Sequence, residues 1–244
     1  MLITKGLLQT GSEAFLILPS GISLLDRIMN GGLNTGNFTH VYGEAAAGKT
    51  TFGLQFVKAM YRQDVGTVYI NSEATSPVER LEQMTGKPYS DLDPLVKIFL
   101  PKGFSEQGVL IDDLDLYIRE NTQLIVVDTL TKHYRLALED KKTNYANHRE
   151  LNRQAGVLKG LARQRDIAVL VLNQVTSKMK GLVDFEPVAG NILDYWSDYV
   201  IKMNIGKSPG ERLLKRIVPE GDRSEGLLFL TETGFSVERT VEKE

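Results

Sequence analysis

The chain has 244 residues, of which 42% are hydrophobic and 25% charged, and its net charge of −2 lacks the strong positive excess of many nucleic-acid-binding proteins. It has no cysteine, which excludes disulfides and thiolate metal ligands, and its three histidines lack the spacing of a metal site. The first apolar stretch, residues 14–18, ends at Pro19 and is too short for a signal peptide or membrane span, so we expect a cytoplasmic protein with no membrane partner.

Predicted strands and helices alternate along most of the chain. In chain order they are a strand at 38–42, a helix at 49–62, a strand at 67–71, a helix beginning at Ser76, a strand at 96–100, a helix at 105–121, a strand at 124–128, a helix at about 147–165 and a strand at 167–172. The strand at 124–128 begins with four apolar residues in succession, as expected for a parallel strand covered on both faces. This alternation predicts an α/β protein with a doubly wound, mostly parallel central sheet flanked by helices.

The pattern changes near the C-terminus, where three runs with strand character are joined by glycine-containing turns. We interpret them as antiparallel strands that extend the same sheet, and we expect a single domain over residues 1–244. Two polar stretches, 132–145 and 177–190, are predicted to be loops. The three antiparallel strands are predicted at 199–205, 211–218 and 227–230.

The turn GEAAAGKTT, residues 43–51, fits the pattern G-x-x-x-x-G-K-[ST] through Gly43, Gly48, Lys49 and Thr50. Such a turn directs backbone N–H groups at a helix N-terminus toward phosphate oxygens. Lys49 is predicted to reach the β- and γ-phosphates, and the Thr50 hydroxyl to bind Mg²⁺. The alternative is a turn rich in Gly and Ala that binds nothing. The predicted nucleotide contacts from this turn are Gly43, Glu44, Ala45, Ala46, Ala47, Gly48, Lys49, Thr50 and Thr51.

Three more polar residues, Asp128, Glu73 and Gln174, stand at or just after the carboxyl ends of predicted strands. Open α/β sheets bind ligands at that edge, so the three side chains are predicted to join the turn in one site. Asp128 would hold Mg²⁺ together with Thr50, Glu73 would orient or deprotonate the attacking water, and Gln174 would sense the γ-phosphate. The alternatives are a turn-capping Asp, an exposed loop acid and a polar strand cap.

The chemistry these residues predict is phosphoryl transfer from ATP to water, with Lys49, Glu73 and Gln174 as the catalytic residues. Lys49 and Mg²⁺ would balance the charge on the γ-phosphate. No sequence feature marks a pocket for a second substrate, so hydrolysis is favoured over a kinase reaction.

Five segments resemble the RecA/RadA recombinase family, and within it the short archaeal paralogues of RadA. The resemblance covers nearly the whole chain, from about residue 19 to residue 235, and the order of the segments is more specific than any one motif. They are PSGISLLDRIMNGGLNTGNFTHVYGE, VYINSEATSPVERL, LIVVDTLTKHYR, AVLVLNQV and PVAGNILDYWSDYVIKM.

The resemblance implies a RecA-like P-loop NTPase core and a role for each matching residue. Glu73 occupies the position of the catalytic Glu, and Arg80 the position of an Arg that packs against the adenine. Asp128 matches the Walker B Asp, and Gln174 the Gln that senses the γ-phosphate. The cofactors that it implies are ATP and Mg²⁺.

Two departures from the family pattern shape the expected function. The chain begins almost at the ATPase core, without the N-terminal helical DNA-binding domain of full recombinases, and residues 15–18 do not match their assembly tether. We therefore expect a weak ATPase that assists DNA recombination and repair without strand exchange of its own. The implied partners are single-stranded or branched DNA, the RadA recombinase and a Holliday-junction resolvase. Self-association into a homo-oligomer is an open alternative.

The two predicted loops, 132–145 and 177–190, fall where recombinases carry their DNA-binding loops. Basic residues could contact phosphates there, and Tyr134 and Tyr145 could stack on unpaired bases. The alternative is a pair of solvated loops with ordinary charges. The predicted phosphate contacts are Lys132, Arg135, Lys141, Lys142, Lys178 and Lys180.

Two other functions compete with this interpretation. One is a KaiC-like signalling ATPase or kinase that does not act on DNA, although that family usually shows acidic pairs after its second strand and often duplicated domains. The other is a nucleotide-gated binding module with negligible turnover, which needs Lys49 and Thr50 but not Glu73. Salt-dependent DNA binding distinguishes the first from a recombination protein, and comparing ATP binding with hydrolysis distinguishes the second.

Overall fold

A computed structural model describes residues 15–138, 141–177 and 185–238 of the chain. Its strands are β1 Ile17–Leu18, β2 Leu33–Asn34, β3 Phe38–Gly43, β4 Gly66–Asn71, β5 Val96–Phe99, β6 Thr122–Asp128, β7 Ala168–Ser177, β8 Phe185–Pro187, β9 Tyr199–Ile205, β10 Glu211–Val218, β11 Glu225–Thr231 and β12 Gly234–Ser236. Its helices are α1 Ser23–Ile28, α2 Lys49–Tyr61, α3 Val78–Thr85, α4 Tyr89–Leu92, α5 Phe104–Asp112, α6 Lys132–Leu136, α7 Lys141–Arg165 and α8 Gly190–Trp196. Within those three ranges, no helix combines the length and the apolar character that crossing a membrane requires.

One large sheet organises the described residues, and its main path runs β12-β11-β10-β9-β3-β7-β6-β4-β5. The strands β9, β3, β7, β6, β4 and β5 along this path are all parallel to one another. The strands β10, β11 and β12 continue the sheet in antiparallel pairings, and β8 pairs antiparallel with the end of β7. The predicted class, a mostly parallel α/β sheet with antiparallel strands near the C-terminus, is confirmed.

One strand direction differs from the prediction. The strand predicted at 199–205 is β9, which runs parallel to β3, with Thr39 opposite Tyr199 and Gly43 opposite Met203. The antiparallel part of the sheet therefore begins one strand later, at β10. The reason is α8, because a helix between two strands can carry the chain back to the edge from which a parallel strand starts.

Helices cover both faces of the sheet and bury two hydrophobic clusters. On one face, Phe52 and Met60 of α2 pack with Val126 of β6. On the other face, Leu158 of α7 packs with Val127, the next residue of the same strand. Since successive strand residues point to opposite faces, this two-sided burial explains the unbroken apolar run of β6.

The predicted loop at 132–145 is wrong in its described part, because α6 and the first residues of α7 occupy it. Helix α7 begins at Lys141, six residues before the predicted start. Tyr134 is only 2% exposed, and its hydroxyl lies 2.9 Å from Nδ1 of His148. This buried contact fixes α6 against α7, and the polar composition of the stretch gives no sign of it.

Two other predicted boundaries also change. The helix predicted at 105–121 ends at Asp112, and a short 3-10 turn, Leu114–Leu116, follows it. Aspartate has a low helix propensity because its side chain competes for backbone hydrogen bonds, so the run Asp112, Asp113 and Asp115 favours an early end. In the other predicted loop, β8 and the beginning of α8 occupy the described part, and residues 178–184 lie outside the described residues.

Candidate nucleotide-binding site

The turn between β3 and α2 has a backbone that depends on glycine. A Cβ added to Gly43 would lie 2.3 Å from the carbonyl oxygen of Met203 on β9, so a side chain does not fit there. Gly48 has a φ of +92°, and Ala46 also has a positive φ, of +61°. Helix α2 begins directly at Lys49, so the N–H groups of its first turn are left to bind a ligand.

Lys49 lies under this turn and is only 8% exposed. Its Nζ donates to the carbonyl oxygens of Gly43, at 2.9 Å, and Glu44, at 2.8 Å. Burial lowers the pKa of Lys49, and the negative charges of Asp128, Glu73 and Glu44 oppose that shift. A buried ammonium that partly lacks a counter-charge is suited to bind an anion such as phosphate.

Asp128 ends β6 next to the first turn of α2 and is 1% exposed. Its Oδ2 accepts hydrogen bonds from the Thr50 hydroxyl, at 2.7 Å, and from the Tyr69 hydroxyl, at 2.8 Å. Burial raises the pKa of Asp128, and these two hydrogen bonds oppose the shift. Burial, followed by the charge of Asp128, raises the pKa of Tyr69 well above its usual value, so the phenol stays a donor.

Glu73 is held by side chains from three other segments. Its Oε1 accepts from the Gln174 amide, at 2.8 Å, and the Thr129 hydroxyl, at 3.3 Å. Its Oε2 accepts from Nζ of Lys132, at 3.1 Å. The amide oxygen of Gln174 in turn accepts from Nη1 of Arg135, at 2.9 Å. The network thus connects the candidate base and the candidate γ-phosphate sensor to two cations of α6.

Two arginines of the cavity connect it to the antiparallel end of the sheet. The Arg80 guanidinium donates to the carbonyl oxygens of Thr231, at 2.6 Å, and Glu232, at 2.8 Å, at the end of β11. Nη2 of Arg212, on β10, donates to the carbonyl oxygen of Ala46, at 3.1 Å. The antiparallel end of the sheet therefore supports both the turn and the residue predicted to pack on adenine.

One cavity of about 740 Å³ collects most of the predicted site residues. Gly43, Glu44 and Ala47 shape the turn without lining this cavity. The cavity is lined by the predicted residues Ala45, Ala46, Gly48, Lys49, Thr50, Thr51, Glu73, Arg80, Asp128 and Gln174.

The predicted DNA contacts are placed differently from one another. Lys132 and Arg135 lie on α6 and bond to Glu73 and Gln174, as described above. Lys141 and Lys142 are the first two residues of α7. Tyr134 is buried and cannot stack on a base, whereas Tyr145 is 67% exposed. Lys178 and Lys180 lie outside the described residues.

Two residues that contact the site, Tyr69 through Asp128 and Arg212 through Ala46, were not assigned to it from the sequence. Tyr69 lies in an apolar strand, and its only signal is that a buried phenol needs a hydrogen-bond partner. Arg212 is 9% exposed on a strand that is remote in sequence from the turn. Neither position follows from a local motif, because the contacts join strands far apart in the chain.

The comparisons with known proteins agree with one another. Residues 12–236 match the Rad51 family. A DNA repair and recombination protein RadB from Methanococcoides burtonii is 32% identical over 212 residues, which cover 85% of this chain and 93% of that protein. A protein of the same name from Archaeoglobus fulgidus is 33% identical over 189 residues, 77% of this chain and 83% of its own. The crystal structure of a RadB recombinase aligns with a TM-score of 0.73 at 30% identity, over 90% of this chain and 98% of that one.

Proposed function

The chain belongs to the Rad51 family as a RadB-like recombinase paralogue of DNA repair and recombination, and from this premise we propose that it binds ATP, Mg²⁺ and DNA and hydrolyses ATP slowly. One observation carries the nucleotide part of the proposal. Three distant parts of the sequence contribute Lys49 with Thr50, Glu73 and Asp128, and all four residues line a single cavity beside the candidate phosphate-binding turn.

The donor set fits Mg²⁺. Thr50 and Asp128 present hard oxygen atoms 2.7 Å apart, and Mg²⁺ favours one or two such ligands together with phosphate oxygens and water. Among the described residues no group of three His, Cys, Asp or Glu forms a complete protein cage, which suits a metal that binds together with a nucleotide. When bound, Mg²⁺ would neutralise charge on the phosphate oxygens.

Three side chains around the cavity have separate proposed roles in ATP binding and hydrolysis. Lys49 would move its ammonium from the carbonyl oxygens of Gly43 and Glu44 to the terminal phosphates. Glu73, which follows the end of β4, would accept a hydrogen bond from the attacking water. Gln174 contacts both Glu73 and Arg135, so a change at the terminal phosphate would reach α6 through its amide.

DNA binding is the second part of the proposal, and it is supported by the family and by the position of α6 and α7. The beginning of α7 presents Lys142 and Tyr145, a basic residue followed by an exposed aromatic ring, which is a combination suited to single-stranded DNA. As partners we propose DNA, a RadA recombinase and a Holliday-junction resolvase. The relatives reported above give no support to the KaiC-like alternative.

Nucleotide binding and turnover by two variants test the ATPase part. Lys49→Ala should weaken ATP binding by a factor of roughly 10 to 100, since a charge-assisted hydrogen bond contributes about 1.5–3 kcal/mol. Glu73→Gln should bind ATP like the original protein but hydrolyse it about 100-fold more slowly. Equal turnover in Glu73→Gln and the original protein would remove Glu73 from the reaction. If the original protein binds ATP but shows no turnover, it is a nucleotide-gated binding module.

A further inference from the structure

Lys132 stands behind the candidate base rather than in the nucleotide cavity. It is the first residue of α6 and lines a smaller neighbouring cavity of about 360 Å³. Glu73 lines both cavities and so forms part of the wall between them, together with Asn71 and Ser76. The side chains of Lys132 and Glu73 are 23% and 27% exposed, so water screens their ion pair only in part.

The two oxygens of Glu73 are anchored separately. Oε1 is held by Gln174 and Thr129, and among the described residues Lys132 is the donor that holds Oε2. A carboxylate offers about four acceptor positions, so three bonds leave about one for a water molecule. Without Lys132 the carboxylate could turn about its bonds to Gln174 and Thr129, and the free acceptor position would no longer be fixed.

We propose that Lys132 is a positioning residue for ATP hydrolysis, which sets the orientation of the Glu73 carboxylate through its bond to Oε2. The proposal rests on the proposed function, in which Glu73 acts on the attacking water. A general base must lie within about 2.6–3.2 Å of its partner in the correct direction, so rotation of the carboxylate lowers turnover without affecting ATP binding.

The same bond changes the expected role of Lys132 in DNA binding. The sequence alone predicts that this lysine contacts DNA phosphate from a loop. In the structure its charge is paired with Glu73 from a helix, at 3.1 Å. Loss of the lysine should therefore affect turnover and leave the salt dependence of single-stranded DNA binding unchanged.

Turnover of the full chain tests the proposal with five variants. Lys132→Met should lower kcat about tenfold with an unchanged KM for ATP, and Lys132→Arg should restore part of the loss because it keeps the donor and the charge. Lys97→Met is the matched control, since Lys97 also forms a partly buried ion pair, with Asp93, but on β5 away from the site. It should behave like the original protein. In a Glu73→Gln background, Lys132→Met should cause no further loss.

Thermal unfolding without nucleotide gives a second readout. If the pair is coupled, the Tm changes of Lys132→Met and Glu73→Gln should not add in the double variant. The proposal would be overturned if Lys132→Met showed a normal or increased kcat, or a flatter salt dependence of DNA binding. In that case, slow turnover by Glu73→Gln would still support the proposed function. Normal turnover in Glu73→Gln would instead remove the proposed function and this inference with it.

Discussion

At the scale of single residues, the site consists of charged groups that are withheld from water. Asp128 and Lys49 are 1% and 8% exposed, and burial raises the pKa of the first and lowers that of the second. Both shifts disfavour the charged forms that metal and phosphate binding require, although each charge partly offsets the cost for the other. Such a site gives up stability for function.

Replacement of Asp128 by Asn should reveal that cost. At pH 7 the free energy of unfolding should increase by about 1 kcal/mol, while Mg²⁺-dependent ATP binding is lost. Because the folded pKa is raised above its ordinary value of 3.8, the native state binds the proton more tightly than the unfolded chain. The cost is therefore complete above the raised pKa and disappears as the pH falls below about 3.8.

Chemical denaturation of both proteins at pH 7 and at acidic pH measures this difference. The advantage of the Asn variant should shrink on acidification. If Asp128→Asn were less stable than the original protein at pH 7, the contacts of Lys49, Thr50 and Tyr69 would more than offset the cost of burying Asp128.

Removal of the Tyr69 hydroxyl should act in the opposite direction. Tyr69→Phe leaves Oδ2 of Asp128 with one donor fewer in a buried position, so the protein should lose about 1–3 kcal/mol of stability. Tyr61→Phe, at the partly buried last residue of α2, is the control and should change stability by less than about 0.5 kcal/mol. Equal denaturation midpoints for Tyr69→Phe and the original protein would show that the bond contributes nothing.

The sequence predicts the residues of the site better than their contacts. The turn at Gly43 to Thr50 has fixed spacing, and strand-end residues such as Asp128 and Glu73 meet because parallel strands share an edge. The bond from Tyr69 to Asp128 and the bond from Lys132 to Glu73 depend on which way individual side chains turn. No pattern of local sequence contains that information.

At the scale of elements, helix α7 offers a matched pair of glycines one turn apart. A Cβ on Gly160 would meet no atom within 4 Å, whereas a Cβ on Gly156 would lie 3.1 Å from the Trp196 ring. Gly160→Ala should stabilise the protein by about 0.5–1 kcal/mol through helix propensity. Gly156→Ala should gain less, because the ring must shift. Denaturation midpoints compare the two, and a larger gain at Gly156 would contradict the packing of α8 on α7.

The sequence predicts the bounds of an element well where both of its faces are buried. It predicts them poorly where one tertiary contact determines the structure. The apolar run of β6 is recognisable because both faces are covered. Helix α6 is five residues long and polar, and it is fixed by the buried ring of Tyr134. The direction of β9 depends on α8, the helix before it. The residue pattern of β9 itself does not predict that direction.

At the scale of the whole molecule, the order of the strands explains the site. The neighbours β3, β7, β6 and β4 are parallel, so the turn after β3, Gln174 of β7, Asp128 of β6 and Glu73 after β4 meet at one edge. Helix α6 follows β6 directly and carries Lys132 and Arg135 to the same edge. The candidate nucleotide site and the predicted DNA-binding region are therefore adjacent.

Binding of single-stranded DNA across a salt series, with and without ATP and Mg²⁺, tests the proposed function most directly. Fluorescence anisotropy on the intact protein should show binding at low salt that weakens linearly on a log–log plot, because phosphate contacts release counterions. Lys49→Ala is the control, since it should abolish any effect of ATP while leaving the nucleotide-free curve unchanged. Absence of binding at low salt under both conditions would contradict a role on DNA and leave an ATP-binding protein of another kind.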